Sequence, residues 1–403
     1  MAKTDIMNVP PAERTSMGSA ERPLPIAEDS LKIPLGLGGI TMTAEGLPTP
    51  DEIKPVSLEL AKIAIGKPEK LEGMAGIYNP AAWKVGGKIY LLGRFIEMTD
   101  EELAPGEEPA PATGEEPVIR GGPDVGPLAL RVLGPDGKII PDLTREVWRP
   151  KVGEPLLEDP RALLLNDGRL IFGLTAVDQN GTPYPAVLVT STEKLMEGTP
   201  IEPQVIRVLG SGDQTTPVGE NVAGKNITAI GPNSFMFRPE GRENHHRFQV
   251  FDIAGDVVEH RQYIELPTNI TWAKWKMGTC MSPEWTNDRE AFSLIHGISI
   301  VDGKYAYSIG SARMVKDEDG VLSIDNISQE PLLTSASFDN VVQRHKERDA
   351  IYSTGWIPHR DERGSLVQLE VFASPGDERT DRVFLDPREI IKNWERPELA
   401  VAA

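Results

Sequence analysis

The feature that most limits the fold of this chain is a succession of short apolar or alternating runs, most of them followed by a glycine-containing turn. Such runs are typical of β-strands, and Asn-Gly or Asp-Gly between two of them is typical of a hairpin. Strands are predicted at Ile89–Phe95, Leu128–Leu133, Leu163–Leu174, Ala186–Ser191, Phe235–Phe237, Arg247–Phe251, Ala291–Ile300, Tyr305–Ile309, Ala350–Trp356 and Leu366–Ala373. The sequence therefore predicts an all-β fold.

The predicted strands fall into clusters at intervals of roughly 40–70 residues, a spacing that suits repeated four-stranded antiparallel blades. The clusters begin near Gly76, Glu158, Lys225, Gly278 and Arg348. This spacing predicts a five-bladed β-propeller, with a pair of two-sheet sandwiches as the alternative.

The segments outside the strands differ in composition. Residues 1–50 are rich in proline, glycine and polar residues, which predicts an irregular N-terminal arm. The propeller is expected over residues 51–390, and residues 391–403 are expected to form a C-terminal tail. Helices are predicted only at Asp51–Ile65 and Pro387–Trp394, and Thr99–Pro123 is predicted to be a low-complexity acidic loop.

Composition excludes several classes of partner. Acidic residues outnumber basic ones 61 to 42, giving a net charge of −19, which argues against nucleic acid and anionic membranes as partners. A local basic pocket for a small anion remains compatible with that charge. Cys280 is the single cysteine, so a disulfide within the chain or a thiolate zinc cluster is excluded. We expect a cytoplasmic protein, because no run has the apolar character of a signal peptide or the length of a membrane span. A homo-oligomer is left open.

The motif richest in chemistry is Glu158-Asp159-Pro160-Arg161, which lies just ahead of the strand-like run Ala162–Thr175. This run contains a predicted turn at Asn166-Asp167-Gly168. Two adjacent carboxylates beside a permanent cation can have their pKa values moved apart, as acid-catalysed bond cleavage requires. A salt-bridged turn is the structural alternative.

Several motifs, taken in order, resemble glycoside hydrolase family 130, the β-mannoside phosphorylases and related mannosidases. They are Tyr78-Asn79-Pro80-Ala81-Ala82 with Ile89–Arg94, Glu158–Arg161, Gly224-Lys225-Asn226 with Phe235–Phe237 and Arg247, Leu294-Ile295-His296-Gly297 with Tyr305 or Tyr307, and Val371–Asp377. The resemblance spans about Gly76 to Asp386 and implies a five-bladed propeller with its active site at one end of the central channel.

The resemblance also implies roles for individual residues. Asp159 would be the general acid, and in family phosphorylases the proton is thought to pass through a sugar hydroxyl while the anomeric centre inverts. Phosphate would bind to Arg94, Lys225, Arg247 and His296. Contacts to substrate would come from Asn79, Glu158, Arg161, Asn226, Tyr307 and Asp377. No metal or cofactor is expected, inorganic phosphate is the co-substrate, and the partner is a small oligosaccharide or glycoside.

The chemistry of these side chains supports phosphorolysis without the resemblance. A departing glycosyl oxygen needs an acid, and a dianionic nucleophile needs a cradle of cations. A hydrolase would instead need a second carboxylate to activate water, for which Glu158, Asp178 and Asp377 are candidates. A non-catalytic propeller that binds glycans is the third hypothesis.

Each basic residue also has a structural interpretation. Arg94 and Arg247 at strand ends could form surface ion pairs, Lys225-Asn226 could be a turn, and His296 could be a core histidine. His245-His246 is not expected to bind a metal, because adjacent residues on a strand point to opposite faces. The three neighbouring tryptophans could form a sugar platform or pack between blades; they are Trp272, Trp275 and Trp285.

Overall fold

The computed structural model describes residues 65, 67–74, 76–96, 127–151, 154–199, 201–208, 222–241, 244–254, 257–301, 303–341, 343, 348–377 and 379–394. The predicted N-terminal arm (1–50), the acidic loop Thr99–Pro123 and residues 395–403 of the predicted tail lie outside these residues. So does the predicted helix Asp51–Ile65, apart from Ile65.

The described strands form five sheets. Where consecutive strands of a sheet pair with each other, they run antiparallel. The first sheet contains β2 (Ile77–Val85), β3 (Lys88–Phe95), β4 (Leu128–Leu133) and β5 (Arg145–Trp148). The second contains β6 (Leu156–Leu164), β7 (Arg169–Val177), β8 (Pro183–Ser191) and β9 (Gln204–Val205). The third contains β10 (Gly224–Ala229), β11 (Ser234–Pro239), β12 (Arg247–Ala254) and β13 (Val257–Glu265).

The remaining two sheets are less regular. The fourth contains β14 (Lys276–Thr279), β15 (Glu284–Trp285), β16 (Glu290–Val301), β17 (Lys304–Lys316), β18 (Leu322–Ile327), β19 (Leu333–Thr334) and β20 (Arg348–Asp349). The fifth contains β21 (Ile351–Arg360), β22 (Leu366–Pro375) and β23 (Asp381–Leu385), together with β1 (Glu69–Lys70) from far earlier in the chain. The two helices are α1 (Thr192–Glu197) and α2 (Pro387–Trp394).

Strand β1 completes the fifth sheet by pairing with β23, so that Glu69 lies opposite Arg382 and Lys70 opposite Asp381. A carboxylate oxygen of Glu69 lies 2.6 Å from the Arg382 guanidinium, and Ile65 donates a backbone hydrogen bond to Phe384. The fifth sheet therefore combines one strand that precedes the other four sheets in the sequence with three strands that follow them. This pairing closes the fold into a ring.

The first strands of successive sheets lie side by side around a common centre, β2 contacting β6 and β21, and β10 contacting β6 and β14. The approach is close enough to require glycine. A Cβ on Gly355 of β21 would overlap the backbone oxygen of Pro80 in β2. Between neighbouring sheets the apolar side chains interlock; the first and second share Trp83, Leu92, Leu130, Phe172 and Leu188. This arrangement confirms the predicted all-β propeller fold and excludes the pair of sandwiches.

The sequence prediction of local structure was accurate in several places and wrong in two. Strand β4 and helix α2 have the predicted bounds. The predicted turn at Asn166-Asp167-Gly168 is confirmed as the hairpin turn between β6 and β7, so the predicted strand Leu163–Leu174 is two strands. Glu158–Arg161 lies inside β6 rather than ahead of a strand. Helix α1 was not predicted; its Ser191 cap and Gly198 C-cap are local signals for it. No described helix has the length and apolar character to cross a membrane.

Candidate active site

The site is built on three β-bulges at matching positions of β2, β6 and β10. In each strand the register with its neighbour shifts over two residues, and the first of the two is Asn79, Asp159 or Asn226. Their φ angles are 49°, 49° and 61°, in the left-handed region that L-residues rarely occupy. Among the described residues only Asn340 and Asp377 share this property without being glycine. Strained backbone of this kind concentrates at functional sites, and bulges re-aim side chains. Four of these five residues are predicted site residues.

The carboxylate of Asp159 is held by the neighbouring sheet. Asn79 donates from Nδ2 to Oδ1 at 2.9 Å, and an Arg94 guanidinium nitrogen lies 3.6 Å from the same oxygen. Arg94 reaches it because it lies opposite Tyr78 at the end of β3, and its guanidinium stacks 4.8 Å above that ring. The Asp159 side chain is 15% exposed, so the carboxylate remains partly accessible at the centre around which β2, β6, β10, β14 and β21 lie. We call this centre the channel.

The neighbouring Glu158 is a counter-ion. Its carboxylate lies 3.7 Å from Arg94 and 3.4 Å from the ammonium of Lys225. Burial acts to raise the pKa of Glu158, but the two cations outweigh it and the pKa is lowered. Glu158 therefore stays ionised and bound to cations.

Arg161 was predicted to contact substrate, but its side chain is fully buried and points between the sheets. One guanidinium nitrogen donates to the backbone oxygen of Asp159 at 2.7 Å. The other donates to Asn226 Oδ1 (3.0 Å), the Thr279 backbone oxygen (3.2 Å) and the Tyr352 hydroxyl (2.8 Å). The second, third, fourth and fifth sheets thus meet at one guanidinium, which fixes the strained backbone of Asp159.

His296 lies beneath this junction. Its ring packs on Tyr352 with a centroid separation of 4.5 Å and is 2% exposed. A Cβ on Gly278 would overlap both the imidazole and the Asn226 amide nitrogen, so both side chains sit directly over that glycine. Burial, and then the positive charges of Arg238 and Arg161, hold the pKa of His296 well below its usual value. The imidazole is therefore neutral at neutral pH.

A second group of charges was not predicted from the sequence. Arg238 lies opposite Lys225 at the end of β11, just as Arg94 lies opposite Tyr78 at the end of β3. Glu240 accepts from Arg238 at 3.0 Å and lies 3.8 Å from the ammonium of Lys276. Strand register pairs Arg238 with Lys225, and no signal in the residue order marks that pairing.

The pKa values in this group reflect its excess of positive charge. Burial acts to raise the pKa of Glu240, but Arg238 and Lys276 outweigh it and lower the pKa to about 2. Burial, followed by Arg238, lowers the pKa of Lys276 to about 7, against the opposing effect of Glu240. The charge of Lys276 is thus sensitive, near neutral pH, to an anion placed beside it.

Tyr307 and Asp377 belong to the same neighbourhood. Burial raises the pKa of Tyr307 to about 12; Asp377 raises it too, whereas Arg348 and Arg238 lower it. The Arg348 charge also lowers the pKa of Glu158, so this buried arginine faces both residues. Cations therefore outnumber carboxylates around the channel, even though the whole chain is acidic.

One predicted phosphate ligand lies elsewhere. Arg247 pairs with Glu265 at 2.6 Å and stacks on Tyr263, 4.9 Å from the ring centre, both on the outer strand β13. None of its contacts in the described part of the chain reaches Asp159 or the other cations. Arg247 therefore fits the structural alternative, a surface ion pair. The position expected for it, beside Lys225, is occupied by Arg238.

Three other candidate residues have structural roles. Asp178 accepts the backbone N–H groups of Asn180 and Thr182, each at 2.8 Å, and so holds a turn. Trp272 is buried in the core, 1% exposed. His246 contacts the Lys274 backbone oxygen at 3.2 Å. Within the described ranges, no three His, Cys, Asp or Glu side chains are grouped so that they could hold a metal ion.

Comparison with known proteins supports the fold. A β-1,2-mannobiose phosphorylase from Listeria innocua matches with a TM-score of 0.54 and 14% identity, over 86% of this chain and 96% of that one. An α-L-arabinofuranosidase from Podospora anserina matches with a TM-score of 0.46 and 11% identity, over 81% and 98% of the two chains. A family 43 β-1,3-galactosidase matches with a TM-score of 0.44 and 13% identity, over 80% and 94%. No protein-family model and no curated protein matches the sequence. The chain thus has a β-propeller fold similar to that of the β-1,2-mannobiose phosphorylase.

Proposed function

We propose that this chain is a glycoside phosphorylase of the family 130 type, in which the five sheets are five blades. It cleaves a β-mannoside-like bond with inversion and yields a sugar 1-phosphate. The observation that carries the proposal is the accessible carboxylate of Asp159 beside a channel rich in cations, with an Arg94 nitrogen 3.6 Å away. Such a channel suits a dianionic nucleophile.

Each group has a distinct part in the reaction. Phosphate binds among Arg94, Lys225 and Arg238, with His296 as a neutral partner. A phosphate oxygen forms a bond to the anomeric carbon while the bond from that carbon to the glycosidic oxygen breaks. Asp159 supplies the proton that the departing oxygen takes up, directly or through a sugar hydroxyl. The enzyme is left with an Asp159 carboxylate, which the Asn79 amide stabilises.

Bound phosphate would also stabilise the protonated form of Lys276, whose pKa of about 7 lies close to neutrality. The phosphate-binding residues would then gain positive charge as the anion enters. A water nucleophile would not recruit that charge.

The experiment incubates the full chain with β-linked mannobiose, with and without inorganic phosphate, and measures mannose 1-phosphate and free mannose. We expect mannose 1-phosphate only when phosphate is present. Asp159→Asn should lower turnover by about 100-fold or more, as loss of a general acid does. Asp167→Asn, an exposed acid of the β6–β7 hairpin, is the matched control and should retain activity.

Phosphate recognition is tested separately. Arg238→Met should raise the KM for phosphate and leave the KM for the sugar nearly unchanged, whereas Arg247→Met should alter neither. Equal effects of the two substitutions would contradict the assignment of Arg238.

Two alternatives have their own outcomes. A hydrolase would release free sugar at a rate indifferent to phosphate. Its base would be Asp377, because Glu158 is bound to two cations and Asp178 holds a turn. A glycan-binding propeller would show saturable affinity for sugar and no turnover under either condition.

A further inference from the structure

Three aromatic side chains form a ledge beside the cation-rich channel. Trp275, Tyr305 and His245 contact one another, with centroid separations of 5.0 Å for Trp275 and Tyr305 and 4.9 Å for Trp275 and His245. Each of the three is half-buried, and none belongs to a buried apolar cluster of the described residues. We call these three residues the aromatic shelf.

Trp275 differs from its neighbours in the chain. The indole N–H groups of Trp272 and Trp285 donate to the backbone oxygens of Ser328 and Ile230, at 2.9 and 3.1 Å. In the described part of the chain the indole N–H of Trp275 has no such acceptor, and it is not sealed from solvent. A large apolar ring with a free donor at the surface is suited to binding a ligand that has both apolar faces and hydroxyl groups.

The shelf is held in place by the backbone. Trp275 donates its amide hydrogen to Ile298 at 3.0 Å, and Met277 donates to His245 at 2.9 Å. These bonds attach the shelf to β16 and to the start of β14. The backbone that carries Trp275 and His245 is therefore fixed before any ligand arrives, which lowers the entropic cost of binding.

The shelf is adjacent to the anion site. The Lys276 ammonium lies 5.9 Å from the Trp275 ring centre, and Tyr305 lies opposite Arg348 in the β17–β20 pairing. Burial, followed by the charges of Lys276 and Arg238, lowers the pKa of His245 to about 4, so its imidazole is neutral. An uncharged surface thus borders a strongly charged one.

We propose that the aromatic shelf is a carbohydrate subsite that binds a second sugar ring of the substrate. The apolar face of a pyranose stacks on the Trp275 indole, and a sugar hydroxyl accepts a hydrogen bond from Nε1. The Tyr305 ring limits how the ring can be oriented. This inference deepens the proposed function, because it assigns the residues that select a disaccharide over a single sugar.

The test measures the binding of β-linked mannobiose and of mannose to the full chain without phosphate, by titration calorimetry. Trp275→Ala should weaken the binding of mannobiose by about tenfold, the size expected for loss of one stacking contact and its hydrogen bond. The affinity for mannose should stay within about twofold. Trp275→Phe should recover part of the mannobiose affinity, because it keeps a stacking ring and removes only the donor.

Trp285→Phe is the matched control, because Trp285 bonds to the residue that follows β10 and lies at the other end of that strand from Asn226. Equal mannobiose affinity in Trp275→Ala and the unmodified chain, or equal weakening in Trp285→Phe, would overturn the proposal. So would the absence of mannobiose binding to the unmodified chain.

The subsite and the proposed function can fail separately. If Trp275 governs sugar binding but no phosphate-dependent cleavage occurs, the subsite stands and the proposed function fails. If phosphate-dependent cleavage occurs and the mannobiose KM is unaltered in Tyr305→Ala and Trp275→Ala, the proposed function stands and the subsite fails.

Discussion

Replacement of Arg161 by lysine should destabilise the protein while preserving the charge at that position. The guanidinium reaches four acceptors, which are the backbone oxygens of Asp159 and Thr279, Asn226 Oδ1 and the Tyr352 hydroxyl. An ammonium directs its donors from a single atom and cannot span these positions as the planar fork does. Asn226 Oδ1 keeps the hydrogen bond from the Tyr352 hydroxyl, at 2.6 Å, so its loss matters least.

The Thr279 backbone oxygen also keeps a hydrogen bond, from the His296 ring. We therefore expect two buried acceptors, the Asp159 backbone oxygen and the Tyr352 hydroxyl, to be left without a donor. Each unsatisfied acceptor costs about 1–3 kcal/mol, so at about 1.5 kcal/mol each the two together lower the free energy of unfolding by about 3 kcal/mol. With about 2 °C per kcal/mol in a chain of this size, the melting temperature should fall by about 6 °C. Thermal denaturation and urea unfolding measure both quantities.

The matched control is Arg169→Lys in the same sheet, where the arginine is 55% exposed and pairs with Asp167. An exposed pair contributes less than about 1 kcal/mol, so this substitution should shift the melting temperature by under about 2 °C. If the two substitutions lower stability equally, Arg161 does not hold the sheets together. Under the proposed function, Arg161→Lys should also lower kcat with little change in the KM for sugar, because it acts on the backbone of Asp159.

Three further perturbations follow from the structure. Under the proposed function, Gly278→Ala should abolish phosphorolysis, because its Cβ would overlap the His296 ring, whereas Gly231→Ala, with its nearest neighbour at 3.7 Å, should not. The pKa of Glu240, lowered to about 2 from its usual 4.5, makes it stabilising above about pH 4.5 and progressively less so as the pH falls towards 2. Glu240→Gln should therefore flatten the acid part of the stability curve by about 2 kcal/mol between pH 6 and pH 3, as measured by urea unfolding at those two pH values, because pH 3 lies about 1.5 units below the usual pKa. Burial raises the pKa of the Cys280 thiol to about 12, so iodoacetamide should label it only after denaturation, and rapid labelling of the native chain would contradict that burial.

The strands were predictable because their signals are local. Asn166-Asp167-Gly168 defines a tight turn whatever surrounds it, and Pro387–Trp394 has the proline at N1 and the apolar spacing of a short helix. The boundaries of these elements could therefore be predicted from neighbouring residues. The sequence indicates this turn, yet Leu163–Leu174 is also predicted as one strand because both flanks of the turn are apolar.

The site was only partly predictable because it depends on pairing between strands. Lys225 was identified from its motif, but its partner Arg238 is specified by register, which the residue order does not reveal. Arg247 was selected in its place because it also begins a predicted strand. The burial of Arg161 was equally hidden, since three of its four acceptors come from residues 65 to 191 positions away.

The pairing of β1 with β23 also constrains how this protein can be made. The two partners Glu69 and Arg382 are separated by 313 residues. Strand β23 must therefore emerge from the ribosome before β1 can pair with it and close the ring. Until then the first four sheets exist as an open arc whose outermost apolar faces have no neighbour. Contacts between such distant residues form late and slowly. A chain that has not yet formed them exposes sheet edges and apolar surface that promote aggregation. Synthesis of this protein should consequently depend on chaperones more than its finished stability suggests.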